Sequence, residues 1–315
     1  MTGTDSITVE LEALERAFDG VRAVDRVSFR FQSGDIFGFV GPNGAGKTTT
    51  MRILATIDLP DRGDARVGGH SVINDPDRVR RLIGFMPDHL SLYSRLTVEE
   101  YLDFFARAYG LRGGRRKQAL DSVIEFTDLG ELRDRMCDAL SKGMRQRLGL
   151  ARILMHDPQV LILDEPASAL DPRARIEFRE LLRQLAARGK AILISSHILT
   201  ELSEICNRVA IIERGKILAT GSLDEIRKGL KRTSRIRIAL LDRLEEAQKE
   251  LAVTPNVDAA RVAGTALEIE YRGDEAGRAG LLRDLVQKGF SVTQFTCEES
   301  NLETIFMQIT TGKVQ

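Results

Sequence analysis

Residues 41–48 read GPNGAGKT and stand between an apolar run, IFGFV, and a stretch of helical character, TTTMRILAT. The string fits the pattern G-x-x-x-x-G-K-[ST], with the strand before it and the helix after it that this pattern requires. The glycines let the loop turn tightly enough for backbone N–H groups to surround a phosphate, and Lys47 adds a positive charge. The sequence therefore predicts a phosphate-binding loop in an α/β fold, with a nucleoside triphosphate as its ligand.

We expect every residue of this loop, and the threonine after it, to contact the nucleotide. The backbone N–H groups and Lys47 would bind the β- and γ-phosphates, and the hydroxyl of Thr48 would ligate Mg²⁺. The predicted binding set is Gly41, Pro42, Asn43, Gly44, Ala45, Gly46, Lys47, Thr48 and Thr49.

A second motif, VLILDEP, places two acidic residues directly after a buried strand. Asp164 can hold Mg²⁺ opposite Thr48, and Glu165 can polarise the water that attacks the γ-phosphorus. Two acids at the end of a strand could also form an ordinary solvated turn, but their occurrence with a phosphate-binding loop favours a chemical role. The predicted reaction is hydrolysis, and not phosphorylation of a second substrate.

The strand AILISSH ends at His197. A lone histidine at the end of a strand is often a structural residue, but the carboxyl ends of parallel strands face the ligand crevice. We therefore expect His197 to lie beside the phosphate-binding loop, where it can hydrogen-bond the γ-phosphate. Glu165 and His197 are the two predicted catalytic residues.

The segment LSKGMRQRL, residues 140–148, predicts the start of a helix with Ser141 as its N-cap. The serine hydroxyl, the glycine backbone and the positive end of the helix dipole together favour an anion. This second anion-binding feature lies far along the chain from the phosphate-binding loop, and these residues alone do not say which anion it holds.

The pattern of apolar residues predicts the organisation of the first two thirds of the chain. Three apolar runs, IFGFV, VLIL and AILIS, are each long enough only for a strand buried on both faces, as in a parallel sheet. Alternation between residues 7 and 36 predicts a small antiparallel layer. Helical periodicity over residues 90–157 predicts a helical subdomain inserted into the α/β core, with a capping box from Thr97 to Glu100.

After about residue 228 the predicted order of strands and helices is βαββαβ, which matches the split βαβ arrangement of ferredoxin-like domains. The predicted elements run from a strand in SRIRIAL to a last helix in NLETIFMQIT. We therefore expect two domains, residues 1–228 and a small α+β domain at residues 229–315, with GLKRTS as a linker. For this second domain, a packing or dimer-supporting role is favoured over regulation or substrate sensing.

The composition limits the possible partners and compartments. The 46 basic and 46 acidic residues cancel, so net charge gives no support for a protein that wraps nucleic acid. The cysteines are far apart and lack metal-ligand spacing, which indicates a reducing compartment; they are Cys137, Cys206 and Cys297. No apolar run is long enough to cross a bilayer, and the acidic N-terminus is unlike a secretory signal. Any role at a membrane would require a partner.

Five motifs, GPNGAGKT, LSKGMRQRL, VLILDEP, SALD and SSH, occur in an order and at separations that resemble the ATP-binding subunit of an ABC transporter, over residues 5–228. The resemblance implies a P-loop NTPase cassette with a RecA-like parallel sheet, an antiparallel β layer and an inserted helical subdomain. It implies ATP and Mg²⁺ as cofactors, and ATP hydrolysis coupled to transport. It also implies an integral membrane permease and a second ATP-binding cassette as partners, no nucleic acid, and a location at the cytoplasmic face of the cell membrane. A homodimer is favoured, although the sequence does not fix whether the partner cassette is identical.

The resemblance answers the question raised by Ser141. In this family two cassettes stack head to tail, and the serine and glycine of the signature motif contact the γ-phosphate of ATP held by the other subunit. Ser141 and Gly143 are thus expected to act in trans, and residues 167–171, similar to the D-loop, to cross the same interface. Phe18 stands where the family places an aromatic that stacks on adenine, although a phenylalanine there could equally belong to the core.

Two departures from the family pattern matter. Lys142 and Met144 replace the glycine and glutamine that are usual in the signature motif. The segment IGFMPDHLSLY resembles the Q-loop, yet Asp88 occupies the place of its glutamine. Asp88 could ligate the metal together with Thr48 and Asp164, and is included in the predicted nucleotide site. Its charge would also repel the γ-phosphate, so we expect slow or tightly coupled turnover.

The resemblance is to the export branch, which includes daunorubicin-resistance-type and lipid or polysaccharide export ATPases. It rests on RAVDRVSF, on ILATIDLPDRGDARV, on the SKGM signature and on the C-terminal α/β appendage. The alternative is a soluble ABC-type ATPase that acts as a clamp on nucleic acid or the ribosome. Such proteins usually carry two cassettes or a long coiled coil, which this sequence does not show. A P-loop kinase or an unrelated GTPase would leave LSKGM, SALD and SSH unexplained.

Overall fold

The structure, a computed structural model, describes residues 7–93, 95–168, 170–198, 202–222, 225–226 and 233–298. Contacts divide the chain into two units, Met1–Ser222 and Leu223–Gln315. The domain boundary predicted between residues 228 and 229 lies within residues 227–232, outside the described residues, and stays a prediction.

An antiparallel sheet forms one layer of the first unit. Its strands are β1 (Thr8–Phe18), β2 (Val21–Gln32), β4 (Arg62–Val67) and β5 (His70–Ser71), in the order β2-β1-β4-β5. The β1–β2 hairpin turns at Asp19 and Gly20, both of which have positive φ. The antiparallel layer expected between residues 7 and 36 is confirmed, and β4 and β5 extend it.

The second layer is a six-stranded, mostly parallel sheet. It contains β3 (Ile36–Val40), β6 (Ile83–Met86), β7 (Val160–Leu163), β8 (Ala191–Ser196), β9 (Arg208–Glu213) and β10 (Lys216–Ser222), in the order β10-β9-β3-β8-β7-β6. Only the β9–β10 pair is antiparallel among these described strands. Every residue of β3, β7 and β8 is buried, which explains why they read as continuous apolar runs.

The two sheets pack through aromatic side chains. Phe29 of β2 lies 5.0 Å from Phe37 of β3, centroid to centroid, with the rings 12° from parallel. Phe31 of β2 lies 5.4 Å from the same ring. Offset stacking of this kind adds to the large apolar area that these rings bury, so the hydrophobic core holds the two sheets together.

Helices cover the parallel sheet and form the inserted subdomain. They are α1 (Lys47–Leu54), α2 (Pro76–Leu82), α3 (Val98–Ala108), α4 (Gly113–Phe126), α5 (Lys142–Leu154) and α6 (Pro172–Ala187), with short 3-10 helices at Gly130–Leu132 and Cys137–Ala139. Thr97 and Glu100 form the predicted capping box at the start of α3. The apolar faces of α3, α4 and α5 meet in a separate core that includes Tyr101, Leu102, Leu120, Ile124, Leu148 and Ala151. The predicted helical insertion is therefore confirmed.

The second unit has the predicted ferredoxin-like fold. It contains β11 (Thr233–Leu240), α7 (Leu244–Ala252), β12 (Val257–Ala263), β13 (Ala266–Arg272), α8 (Glu275–Gln287) and β14 (Val292–Glu298). The sheet order is β12-β13-β11-β14, and every neighbouring pair is antiparallel. Alternate residues of β11 and β13 pack against the two helices. The resulting core includes Ile236, Ile238, Leu267 and Ile269 from the strands and Leu251, Leu281 and Leu285 from the helices. The last predicted helix, at residues 301–310, lies outside the described residues.

Within the described part of the chain, no helix combines the length and the apolar character needed to cross a bilayer.

Candidate nucleotide site

The loop at residues 41–48 joins β3 to α1, and close backbone packing explains two of its glycines. A Cβ on Gly41 would lie 2.3 Å from the carbonyl oxygen of Ile212, and one on Gly46 would lie 2.2 Å from that of Ala23. Gly46 also has a φ of 103°, which side chains rarely adopt. Neither position can hold another residue without moving a neighbouring strand, and the loop is therefore set tightly against β2 and β9.

Lys47 is the first residue of α1, and its side chain is buried. Its ammonium group donates to the carbonyl oxygens of Gly41, at 2.6 Å, and Pro42, at 3.2 Å. It also lies 3.5 Å from Oε1 of Glu165, which is an ion contact longer than a good hydrogen bond. Burial lowers the pKa of Lys47, and the neighbouring Glu165 carboxylate opposes that shift.

The other predicted loop residues leave room for a ligand. The side chains of Asn43 and Thr48 are exposed, that of Thr49 is half-buried, and a Cβ added at Gly44 would meet nothing within 4 Å. Thr48 lies in the first turn of α1, so its hydroxyl stands beside the backbone N–H groups that begin the helix. The loop thus presents the N-terminal end of α1 and an exposed hydroxyl where a phosphate would bind.

Asp164 follows directly after β7, and its side chain is almost fully buried. Its Oδ1 accepts a 2.6 Å hydrogen bond from the hydroxyl of Ser195 on β8. Its Oδ2 is buried and has no hydrogen-bond partner among the described residues. An unpaired buried carboxylate oxygen is costly, so this atom fits a position that a cation occupies when ligand is present.

Glu165 occupies a left-handed backbone conformation, with φ of 48°. Its N–H donates to the hydroxyl of Ser195 at 2.8 Å. Its Oε2 lies 2.8 Å from Nδ1 of His197, and its Oε1 faces Lys47. The structure therefore brings Lys47, Glu165 and His197 together at the carboxyl edge of the parallel sheet, as the motif positions predict.

Ser195 is a functional candidate that the sequence analysis did not single out. It lies within the SSH motif, two residues before His197. Because side chains alternate along a strand, Ser195 and His197 are directed to the same face, and this periodicity was an available signal.

The donor set fits Mg²⁺. Asp164 offers a free carboxylate oxygen, Thr48 offers an exposed hydroxyl, and oxygen ligands of this kind together with phosphates are what Mg²⁺ prefers. Asp88 lies two residues beyond the end of β6, the strand that pairs with β7, so it is near the same edge of the sheet. Its side chain is 46% exposed, and one carboxylate oxygen lies 3.7 Å from Nε2 of His89.

Ser141 and Gly143 lie at the start of α5. Ser141 accepts a hydrogen bond from the N–H of Met144 and so caps α5, as predicted. Both residues line an open pocket with residues of α6, among them Ala174 and Glu177, and residues 41–48 take no part in this lining. Asp171, from the segment similar to a D-loop, caps α6 at the same pocket.

Phe18 ends β1, at the tip of the hairpin whose second strand carries Ala23 against Gly46. Its ring is 45% exposed and lies 4.8 Å from the guanidinium carbon of Arg16. It is therefore not part of the core, and a flat, accessible face is available for stacking.

Comparison with known proteins identifies the family. The profile of the ABC transporter family matches residues 24–168, and that of the DrrA1-3-like ATP-binding protein C-terminal domain matches residues 221–310. The daunorubicin/doxorubicin resistance ATP-binding protein DrrA of Streptomyces peucetius is 34% identical, covering 96% of this chain and 92% of that protein. The Nod factor export ATP-binding protein I of Burkholderia pseudomallei (strain K96243) is 35% identical, with 96% of each chain covered.

Solved structures of ABC transporter cassettes also match this chain. An ATP-binding subunit of an ABC transporter matches with a TM-score of 0.64 at 30% identity, over 78% of this chain and 99% of that one. A dimeric bacterial ABC transporter cassette, at 24% identity, matches in fold with a TM-score of 0.62, over 68% of this chain and 98% of that one. The relatives favour the transporter hypothesis over a nucleic-acid or ribosome clamp. The P-loop, the adjacent acids Asp164 and Glu165, the fold and relatives that match over nearly the full length of the chain lead to one conclusion: this chain belongs to the ATP-binding subunits of ABC transporters, and it is an ATPase that acts as a transport motor.

Proposed function

We propose that this motor drives an exporter, and that the residues around Lys47 bind and hydrolyse its ATP. The observation that carries the proposal is the meeting of Lys47, Glu165 and His197 at the end of the parallel sheet, with contacts of 3.5 Å and 2.8 Å. The names of the relatives, which refer to drug resistance and to Nod factor export, support an outward direction of transport.

ATP binding exchanges one anion for another beside Lys47. In the structure the ammonium group faces two loop carbonyls and the Glu165 carboxylate. The β- and γ-phosphate oxygens replace these contacts, so the buried cation stays neutralised throughout. Residues 41–49 supply the remaining contacts to the phosphates, and Phe18 stacks on the base.

Mg²⁺, if bound here, would supply positive charge that offsets the charge of the phosphate oxygens. Thr48 and Asp164 are its proposed protein ligands, and Asp88 is a further candidate. Glu165 is the proposed general base, because its carboxylate lies next to Lys47 and can accept a proton from water. His197, held through Nδ1 by Glu165, directs its other ring nitrogen to the γ-phosphate.

A second copy of the chain completes each site. Ser141 and Gly143 line a pocket that residues 41–48 do not enter, and this separation supports a role toward nucleotide held by another subunit. We propose a head-to-tail homodimer in which ATP binding closes the pair and hydrolysis reopens it. Closure acts on an integral membrane permease through the segment around Asp88, which places the chain at the cytoplasmic face of the membrane. The cassette in this scheme is residues 1–228, followed by an accessory domain at 229–315.

The proposal is tested by the dependence of ATPase rate on protein concentration. If two chains build each reaction centre, the rate per molecule falls as the protein is diluted below its dimer dissociation constant, and light scattering follows the loss of dimers. Adding Ser141→Ala protein, which keeps its own P-loop, to dilute wild type tests the exchange of subunits. A rate per molecule that stays constant in demonstrably monomeric protein would contradict the proposal.

A further inference from the structure

The side chain of Ser195 lies between the two acidic residues of the nucleotide site and contacts both. Its hydroxyl donates to Oδ1 of Asp164 at 2.6 Å, and its oxygen accepts from the N–H of Glu165 at 2.8 Å. The residue has no solvent exposure. The one hydroxyl therefore donates its proton to the Asp164 carboxylate and accepts a hydrogen bond from the backbone N–H of Glu165.

The first contact decides which oxygen of Asp164 is available. The terminal torsion of an aspartate is broad, so the two carboxylate oxygens exchange places easily unless one is held. Ser195 holds Oδ1, and Oδ2 is left buried, with no partner in the part of the chain that the structure describes. The carboxylate consequently presents one defined oxygen to a cation.

The second contact supports the backbone that carries Glu165. A left-handed conformation is unfavourable for a residue with a side chain, and it persists only where the surroundings hold it. The hydrogen bond from the Glu165 N–H to Ser195 is such a restraint. The direction of the Glu165 carboxylate, toward Lys47 and His197, follows from this backbone turn.

We propose that Ser195 is a positioning residue that orients Asp164 toward the metal and Glu165 toward the attacking water through a single hydroxyl. The inference rests on the proposed ATP and Mg²⁺ site, and adds to it a residue that touches neither nucleotide nor metal. Partners that orient a metal ligand in this way typically change metal affinity about 10- to 100-fold when removed.

The neighbouring Ser196 is a matched control. It is also buried, but its oxygen accepts from the N–H of Ile198 at 2.9 Å, beyond the end of β8. Alanine at either position removes one buried hydroxyl from the same strand. Only the change at 195 removes a contact to Asp164.

The experiment compares Ser195→Ala, Ser195→Thr and Ser196→Ala in the full chain. Binding of the β,γ-imido analogue of ATP is measured by calorimetry in EDTA and then with Mn²⁺, and Mn²⁺ affinity of the nucleotide complex is measured by electron paramagnetic resonance. Threonine keeps the hydroxyl, and a small apolar gap of ≈ 20 Å³ beside Ser195, lined by Ala167, Phe178 and Leu202, can receive part of its methyl group.

For Ser195→Ala we expect Mn²⁺ to bind about 10- to 100-fold more weakly, with little change in metal-free binding of the analogue. Threonine restores the wild-type affinity, and Ser196→Ala leaves it unchanged. The inference is overturned if Ser195→Ala binds Mn²⁺ as wild type does, if metal-free binding falls equally, or if Ser196→Ala shows the same loss.

Two further outcomes are separated by the design. If Mn²⁺ does not change analogue binding by the wild-type protein, the proposed ATP and Mg²⁺ site itself is wrong. If Mn²⁺ strengthens analogue binding equally in the wild type and in Ser195→Ala, only the role of Ser195 is overturned. Should the alanine variant fail to give a cooperative melt, Ser195→Cys replaces it. The thiol is a weak donor and acceptor of similar size, so Mn²⁺ affinity falls here too, and wild-type affinity in this variant overturns the inference.

Discussion

Glu165 is the residue on which the proposed chemistry turns, since its carboxylate faces a buried cation and a histidine at once. In Glu165→Gln the amide keeps the shape of the side chain but cannot take a proton from water. We expect the rate of ATP hydrolysis to fall about 10²- to 10⁴-fold. ATP binding should be retained or strengthened, because an anion no longer competes for Lys47, and the closed dimer should accumulate.

Single-turnover hydrolysis and light scattering with ATP measure these two effects. Glu250→Gln is a suitable control, since Glu250 forms an exposed ion pair with Lys288 in the second unit. Full hydrolysis in Glu165→Gln would remove Glu165 from the mechanism.

Asp88 adds a negative charge close to where the γ-phosphate is expected. Two like charges about 4 Å apart in water repel by about 1 kcal/mol, which corresponds to about a fivefold change in rate. Because Asp88 is exposed, this solvent-screened value applies. Asp88→Gln is therefore expected to raise the steady-state ATPase rate about fivefold.

Asp88→Asn separates charge from length, because it removes the charge and keeps the short side chain. If repulsion limits the rate, both variants are faster than wild type. An unchanged rate in both would show that repulsion does not limit turnover, and a slower rate in both would show that the carboxylate is used, for instance as a metal ligand.

At the scale of elements, His156 links the helical subdomain to the parallel sheet. It follows the end of α5, its Nε2 lies 2.9 Å from the carbonyl oxygen of Ile83 on β6, and its ring stacks on Tyr109 after α3 at 4.0 Å. Burial lowers the pKa of His156 below its usual 6.5, and the Ile83 contact only partly opposes this. The folded protein therefore binds this proton less readily than the unfolded chain does.

The sign of the pH effect follows from that difference. As pH falls below about 6.5 the unfolded chain takes up the proton first, so His156 lowers the free energy of unfolding until its own depressed pKa is passed. In His156→Phe this part of the slope should vanish, while stability at pH 7.5 falls by about 1 kcal/mol because the hydrogen bond is lost. Urea unfolding at several pH values measures both. If the free energy of unfolding depends on pH in the same way in the wild type and in His156→Phe, His156 is not the cause of this slope.

The strands β3, β7 and β8 were predicted from the sequence, and β6 was not. The three predicted strands are buried at every position and mostly apolar, so sequence alone places them in a parallel sheet. β6 begins at Ile83, directly after the last residue of α2, so no turn residue marks its start in the sequence. It contains Gly84, where a Cβ would lie 2.9 Å from the carbonyl oxygen of Ile153 on α5, and a single sequence does not show this tertiary contact.

The candidate site was likewise predictable only in part. Spacing and motif context placed Lys47, Asp164 and Glu165 together, because the carboxyl ends of parallel strands share one edge. Ser195 was missed because its contacts depend on tertiary structure: the Asp164 carboxylate and the Glu165 backbone N–H come from the end of a different strand. The left-handed backbone of Glu165 was equally unpredictable, since glycine or asparagine is the usual signal for that conformation.

At the scale of the whole molecule, the two units have separate cores, and every predicted site residue precedes the second unit. A chain truncated after residue 228 should therefore fold, melt cooperatively and bind the ATP analogue with unchanged affinity. If the second domain supports dimers, the truncated chain will lose ATPase activity at a higher protein concentration than the full chain does. Calorimetry and rate measurements over a dilution series check these expectations, and loss of analogue binding in a folded truncated chain would contradict them.

The contact between Gly46 and Ala23 has a consequence for anyone who engineers this protein. Since the carbonyl oxygen of Ala23 fills the space where a side chain at position 46 would stand, the position of β2 limits the conformations open to the loop. A mutation library confined to the hairpin would consequently retune nucleotide affinity without altering any residue that touches the phosphates. Substitutions made on the surface of that hairpin to improve expression would therefore lower the ATPase activity.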